Sequence, residues 1–264
     1  PLSQRYRHLA LASLLLGLTL MPLSQRRAGP LLLLDPGLSS SINSPPAEGE
    51  GADPVQFSAS ELKQLQLRFG VHGSQPRFTV LEIAEDMHRA VRWIRHHAAD
   101  YSVRPDRLGV TGSSAGGHLS LTLGTQGRDG DPKAKDPVDR ESSRVHAVAC
   151  FFPPTDFENW GSPGDTQVGV GKVGRQFYGA FGSRSDTLES RLEYGRLISP
   201  IHFVSKDMAA TLIVHGEADG LVPIYQAEIF EKKARDTGAT FKLIRLPGKD
   251  HGWPGMEKDI LQFA

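Results

Sequence analysis

The sequence predicts an α/β fold, a mainly parallel sheet flanked by helices. Three observations carry this. Short apolar runs recur at residues 108–110, 145–152, 211–215 and 241–246. Each is closed within two residues by Gly or Pro, as buried strands are. Between the runs lie segments with helical spacing. The 264 residues suffice for one domain with a large core.

The chain opens atypically. Arg5, Arg7 and His8 precede a Leu-rich run over residues 9–21, which resembles the basic and apolar parts of a signal peptide. The run is too short to span a bilayer, so no stable membrane insertion is expected. No small-x-small cleavage site follows, and Arg26-Arg27 is out of place there. If residues 5–21 are a leader, the protein is exported to the periplasm or beyond; otherwise a cytoplasmic location is expected. Residues 35–54 are rich in Ser, Pro and Gly and read as a disordered linker. A start at Pro1 rather than Met, and a final helix begun but not completed over residues 259–264, suggest a piece of a longer chain.

Thr79 and Glu82 have capping-box spacing, which starts a helix. Ile83, Met87, Ala90, Val91 and Ile94 then recur on one face. Glu82, Glu85 and Asp86 lie near its start and Arg92, Arg95, His96 and His97 near its end, an order that suits the helix dipole. His88, His96 and His97 are expected on its solvated side.

The strand at 108–110 runs into Gly112-Ser113-Ser114-Ala115-Gly116, and a small-residue helix follows. This is Gly-x-Ser-x-Gly in the strand–turn–helix setting of a nucleophile elbow. In so tight a turn the central Ser takes a strained backbone, and bulky residues two positions away would collide. Ser114 is therefore the expected nucleophile. The N–H of Ala115 is the expected oxyanion donor. The plain alternative is a Gly/Ser-rich turn ending a strand. A phosphate loop is disfavoured, because there is no Gly-Lys-Ser/Thr, and Gly112, Gly116 and Gly117 do not fit Gly-x-Gly-x-x-Gly.

Beyond the elbow, residues 124–143 are polar and turn-rich and read as a surface excursion. The next strand ends at Pro153-Pro154 and contains Cys150, expected as a small buried hydrophobe. Residues 157–200 hold Trp160, Phe177, Tyr178 and Phe181 among Gly and Ser. Two readings stand for them: a lid over the site, or an irregular surface connection.

A serine nucleophile needs a His to take its proton and a carboxylate to orient that His. After the strand at 211–215 comes Gly216-Glu217-Ala218-Asp219-Gly220, where Asp219 is the expected acid and Glu217 the alternative. After the strand at 241–246 comes Pro247-Gly248-Lys249-Asp250-His251-Gly252-Trp253. His251 sits in a Gly-flanked loop and is the expected base. Asp250, its sequence neighbour, is a poor candidate to orient it. Ser, Asp and His thus follow three strand ends in that order. This chemistry requires no cofactor, and no pairing of the other His residues with carboxylates makes a metal site.

These residues resemble an α/β-hydrolase of the esterase/lipase type, and more closely the bacterial feruloyl-esterase-like group. The carrying segments are Val110 to His118, His215 to Pro223 and Gly248 to Trp253, with Val71-His72-Gly73-Ser74-Gln75-Pro76 and the helix after it. The resemblance covers residues 69–264, which sets residues 1–68 apart as an atypical segment. It implies the triad Ser114, Asp219 and His251, an acyl-enzyme and a small-molecule ester substrate, without cofactor. It also implies early strands and a glycine-rich loop giving a second oxyanion N–H, and neither is evident. His72-Gly73-Ser74 comes nearest, but it stands where the family has a later strand end. A serine peptidase of the same fold, or a truncated and catalytically impaired hydrolase-like protein, are the alternatives.

Thirty basic and thirty acidic residues balance, so nothing draws the chain electrostatically to nucleic acid. One Cys rules out a disulfide within the chain.

Overall fold

The structure is a computed structural model in which residues 31–34 and 78–256 are described. The leader-like run at 5–21, the linker at 35–54 and His72-Gly73-Ser74 lie outside the described residues. Strands β1 (Leu31–Leu34), β2 (Gly109–Ser113), β3 (Ala147–Phe151), β4 (Ala210–Gly216) and β5 (Phe241–Leu246) form one sheet. The spatial order is β1-β2-β3-β4-β5, and every neighbouring pair is parallel. All strands therefore end at one edge of the sheet, where α/β folds build their sites.

β2 to β5 coincide with the four apolar runs. β1 departs from the expectation that early strands are missing. It lies inside the atypical segment 1–68 and pairs with β2 from Leu31 opposite Gly109 to Leu34 opposite Gly112. Four successive leucines between Pro30 and Asp35-Pro36 carry no period, and their partner is far along the chain.

Helices α1 (Val80–His96), α2 (Ala115–Gln126), α3 (Gly171–Gln176), α4 (Tyr178–Phe181), α5 (Leu188–Ile198) and α6 (Tyr225–Thr237) accompany the strands. The box at the start of α1 is formed: Glu82 N–H donates to Thr79 Oγ1 at 3.3 Å, and Thr79 N–H donates to Glu82 Oε2 at 2.8 Å. Met87 and Val91 of α1, Leu121 and Leu123 of α2, and Phe230 and Ala234 of α6 share a core with Val110, Val148 and Ile213 of the sheet. No helix among the described residues is long and apolar enough to cross a membrane.

α1 buries Ala84, Met87, His88 and Val91, so its inner face is turned from the expected one and includes a histidine. His88 is 2% exposed, and its Nδ1 lies 3.0 Å from Ser143 Oγ. Burial pushes its pKa down to about 4; Arg128 and Arg92 add to this and Glu85 opposes it. The expected solvation holds for His96, which is exposed, and not for His88. Ser143 belongs to the polar excursion, which is also tied to α1 through Arg89, paired with Asp136 at 2.7 Å and with Asp139.

Residues 157–200 carry α3, α4 and α5 around a second core. Phe157, Trp160, Val168, Phe181, Tyr194 and Ile198 are buried there together with Val222. Buried Gln226 of α6 anchors this segment. Its Oε1 accepts from the N–H groups of Thr155 (2.8 Å) and Asp156 (2.7 Å), and its Nε2 donates to the carbonyls of Asn159 and Trp160, both at 2.8 Å.

Candidate active site

Ser114 follows the last residue of β2 and immediately precedes α2. Its φ of 53° and ψ of −118° lie where L-residues rarely go, a strain of about 1–3 kcal/mol. Its neighbours fix that conformation. Ser114 N–H donates to the Phe151 carbonyl at 2.9 Å, and the Ser114 carbonyl accepts from His118 N–H at 3.0 Å. The close approach falls at Gly117, where a Cβ would lie 3.0 Å from the Phe151 oxygen and from Pro153 Cβ. Ala115, exposed, is the first residue of α2, so its N–H has no acceptor within the helix. Ser113 and His118, either side of the elbow, are both buried, and His118 Nε2 donates to the Ile198 carbonyl at 2.7 Å.

Ser114 Oγ lies 2.9 Å from His251 Nε2. His251 Nδ1 lies 2.9 Å from Asp219 Oδ2. A carboxylate only accepts, so the proton is on Nδ1, and Nε2 is left to accept from the serine hydroxyl. The expected acid, base and nucleophile thus meet, from the ends of β4, β5 and β2. Glu217, the alternative acid, is exposed.

The other oxygen of Asp219 is spoken for. Oδ1 accepts from the N–H groups of Leu221 at 2.9 Å and Val222 at 2.8 Å. Fully buried His215 places Nε2 3.4 Å from Oδ2 while donating to the Val222 carbonyl at 2.8 Å. Burial alone would raise the carboxyl pKa. The His215 ring close beside it, and hydrogen bonds from His251, Val222 and Leu221, outweigh this and hold the group well below the usual carboxylate range.

Two neighbours were not foreseen. Phe152 has φ 36°, is 3% exposed, and lays its ring 4.5 Å from that of His251. Trp253 stands 5.7 Å from Phe152. Phe151-Phe152-Pro153-Pro154 was legible only as the end of a strand. Apart from the site, Asp156, Glu158 and His202 bring ligand-type atoms within 4.8 Å of one another. These atoms already serve each other and the backbone: Asp156 accepts from Glu158 N–H and Asn159 N–H, and Glu158 Oε2 meets His202 Nε2 at 2.5 Å.

A parallel sheet with flanking helices, and a serine on a strained strand-to-helix turn at its carboxyl edge, define an α/β-hydrolase fold. The family model BD-FAE matches residues 75–234, more than half of the chain. The chain belongs to that family of feruloyl-esterase-like α/β-hydrolases. Esterase LipQ of Mycobacterium tuberculosis is 27% identical over 232 residues, which cover 88% of this chain and 52% of LipQ. The chain spans about half the length of the curated relatives it matches. Among solved structures, a truncated form of a carbohydrate esterase from gut microbiota is 28% identical with a TM-score of 0.57, covering 68% of this chain and 66% of that one. An acetyl ester-xyloside bifunctional hydrolase from Caldicellulosiruptor lactoaceticus is 26% identical with a TM-score of 0.56, covering 68% and 61%.

Proposed function

We propose that this chain hydrolyses carboxylic esters through an acyl-enzyme on Ser114. The carrying observation is the unbroken relay from Ser114 Oγ through His251 to Asp219, 2.9 Å at each step. Oγ attacks the ester carbonyl carbon while its proton passes to Nε2. The oxyanion is met by the N–H of Ala115. Collapse breaks the bond to the alkoxy oxygen, which leaves with the proton from Nε2. Water then repeats the sequence on the acyl-enzyme and frees the acid. Asp219 keeps the imidazole in the required tautomer and stabilises its cation.

The reading is supported by relatives and neighbours named as esterases, including structures named for carbohydrate and acetyl esters. Residues 157–200 serve in this proposal as a fixed wall rather than a swinging lid. Support comes from Gln226 and from Trp160 Nε1, which donates to the carbonyl of Leu221 beside Asp219 at 3.1 Å.

The test is a fluorophosphonate probe with the adduct mapped by mass spectrometry, beside turnover of p-nitrophenyl esters and peptide anilides. Stoichiometric labelling at Ser114, with ester turnover lost in Ser114→Ala, is expected. Faster cleavage of anilides would favour the peptidase. A folded protein that takes no label would be an impaired hydrolase.

A further inference from the structure

His251 stands in a loop that glycine makes pliable. Gly248 (φ 69°) and Gly252 (φ 79°) flank it in the left-handed region. The acid loop, residues 216–223, comes from a different strand. The relay depends on how these two loops lie against each other, and three contacts set this. Glu217 N–H donates to the Leu246 carbonyl at 3.0 Å, and Ala218 N–H to the Lys249 carbonyl at 2.9 Å. The third is a side chain. A single oxygen, Asp250 Oδ1, accepts from Gly220 N–H at 2.9 Å and from His251 N–H at 2.7 Å. One donor is next to the acid and the other is the base itself.

We propose that Asp250 is a positioning residue, a clasp whose one oxygen holds the base loop to the acid loop so that His251 Nδ1 meets Asp219. The proposal rests on the esterase reading of Ser114, His251 and Asp219. The clasp acts through an acceptor oxygen at a fixed place and not through charge. Asp250 is exposed, so water screens its charge, and both of its partners are backbone N–H groups. Asparagine keeps a carbonyl oxygen at that place. Glutamate keeps the charge but carries its oxygens one methylene further out. Alanine removes both.

The test measures kcat, KM and the rate of fluorophosphonate labelling for Asp250→Asn, Asp250→Glu and Asp250→Ala, with thermal unfolding of each. Ser114→Ala and His251→Ala are run first, and turnover retained in them would overturn the triad reading itself, whatever Asp250 does. With the triad established, Asp250→Asn is expected within about threefold of the parent kcat, while Asp250→Glu and Asp250→Ala lose about 10–10²-fold at little-changed KM, the cost of misplacing a reacting group by an ångström. The far-downfield resonance of the His251 Nδ1–H proton should persist in the Asn variant and vanish in the Glu variant. Asp250→Glu active with Asp250→Asn impaired would assign the effect to charge and overturn the clasp. Parent kcat in both the Ala and the Glu variants would overturn it as well. If Asp250→Ala does not fold, the Asn–Glu pair decides alone.

Discussion

Asp219 shows how much one carboxylate does. Two backbone N–H groups hold Oδ1, and Oδ2 is left to His251. In Asp219→Asn the single amide oxygen stays with Leu221 and Val222, and the NH2 group faces His251. Nδ1 must then accept, which puts the ring proton on Nε2, so that Nε2 can only donate to the serine oxygen and cannot take its proton. We expect kcat to fall about 10⁴-fold and the protein to remain folded. Glu217→Gln, on an exposed side chain, should leave kcat within about twofold, as surface substitutions do. The depressed pKa of Asp219 has a sign. Its contribution to stability is present above the unfolded carboxylate pKa of about 3.9 and is lost as pH falls from there through the folded value. The carboxylate is thus ionised throughout a neutral or mildly acidic assay. A fall of kcat/KM on acidification within that range therefore does not report protonation of Asp219.

At the scale of elements, the seam between α2 and β3 holds Ser114. The Phe151 carbonyl takes the Ser114 N–H, and the same oxygen lies 3.0 Å from where a Cβ on Gly117 would be. Gly117→Ala presses on strand backbone that cannot yield, so α2 must lift. We expect a loss of about 1–3 kcal/mol in thermal unfolding, as for other overpacked sites, and slower labelling of Ser114; unchanged labelling would show that the elbow does not depend on this seam. The local sequence pointed to Gly112 and Gly116, because the motif is written there. The contact at Gly117 comes from another strand, which no local pattern records. The same division runs through the fold. β2 to β5 and the cap of α1 were legible, since apolar runs closed by Gly or Pro and a Thr–Glu spacing are local signals. β1 was not, because Leu31 to Leu34 become a strand only beside β2. Nor was the burial of His88, which needs Ser143 from the excursion to receive its ring. Ser114, Asp219 and His251 were legible together because chemistry limits which residue types can follow successive strand ends in that order.

For the whole molecule, two buried imidazoles set an acid limit. Burial pushes His88 and His118 down to about 4 each; beside this, Arg128 lowers the first further, and the bond to the Ile198 carbonyl partly offsets the second. Below the unfolded histidine pKa of about 6.5 the unfolded chain takes up protons that the folded one refuses. Stability is therefore expected to fall from there down to pH about 4, by up to about 1.4 kcal/mol per pH unit for each ring. Melting temperatures from pH 7 to 4.5 should decline less steeply in His88→Gln, and an equal slope would place the limit elsewhere. The middle of the sheet hides Cys150. It sits in β3 between Gly112 of β2 and Ile213 of β4, fully buried, with its thiol pKa pushed far up by burial. It is the chain's one cysteine. A thiol-modifying reagent reaches it only after the middle of the sheet has come apart, so the protein carries its own clock: the rate of modification reads how often the whole domain opens.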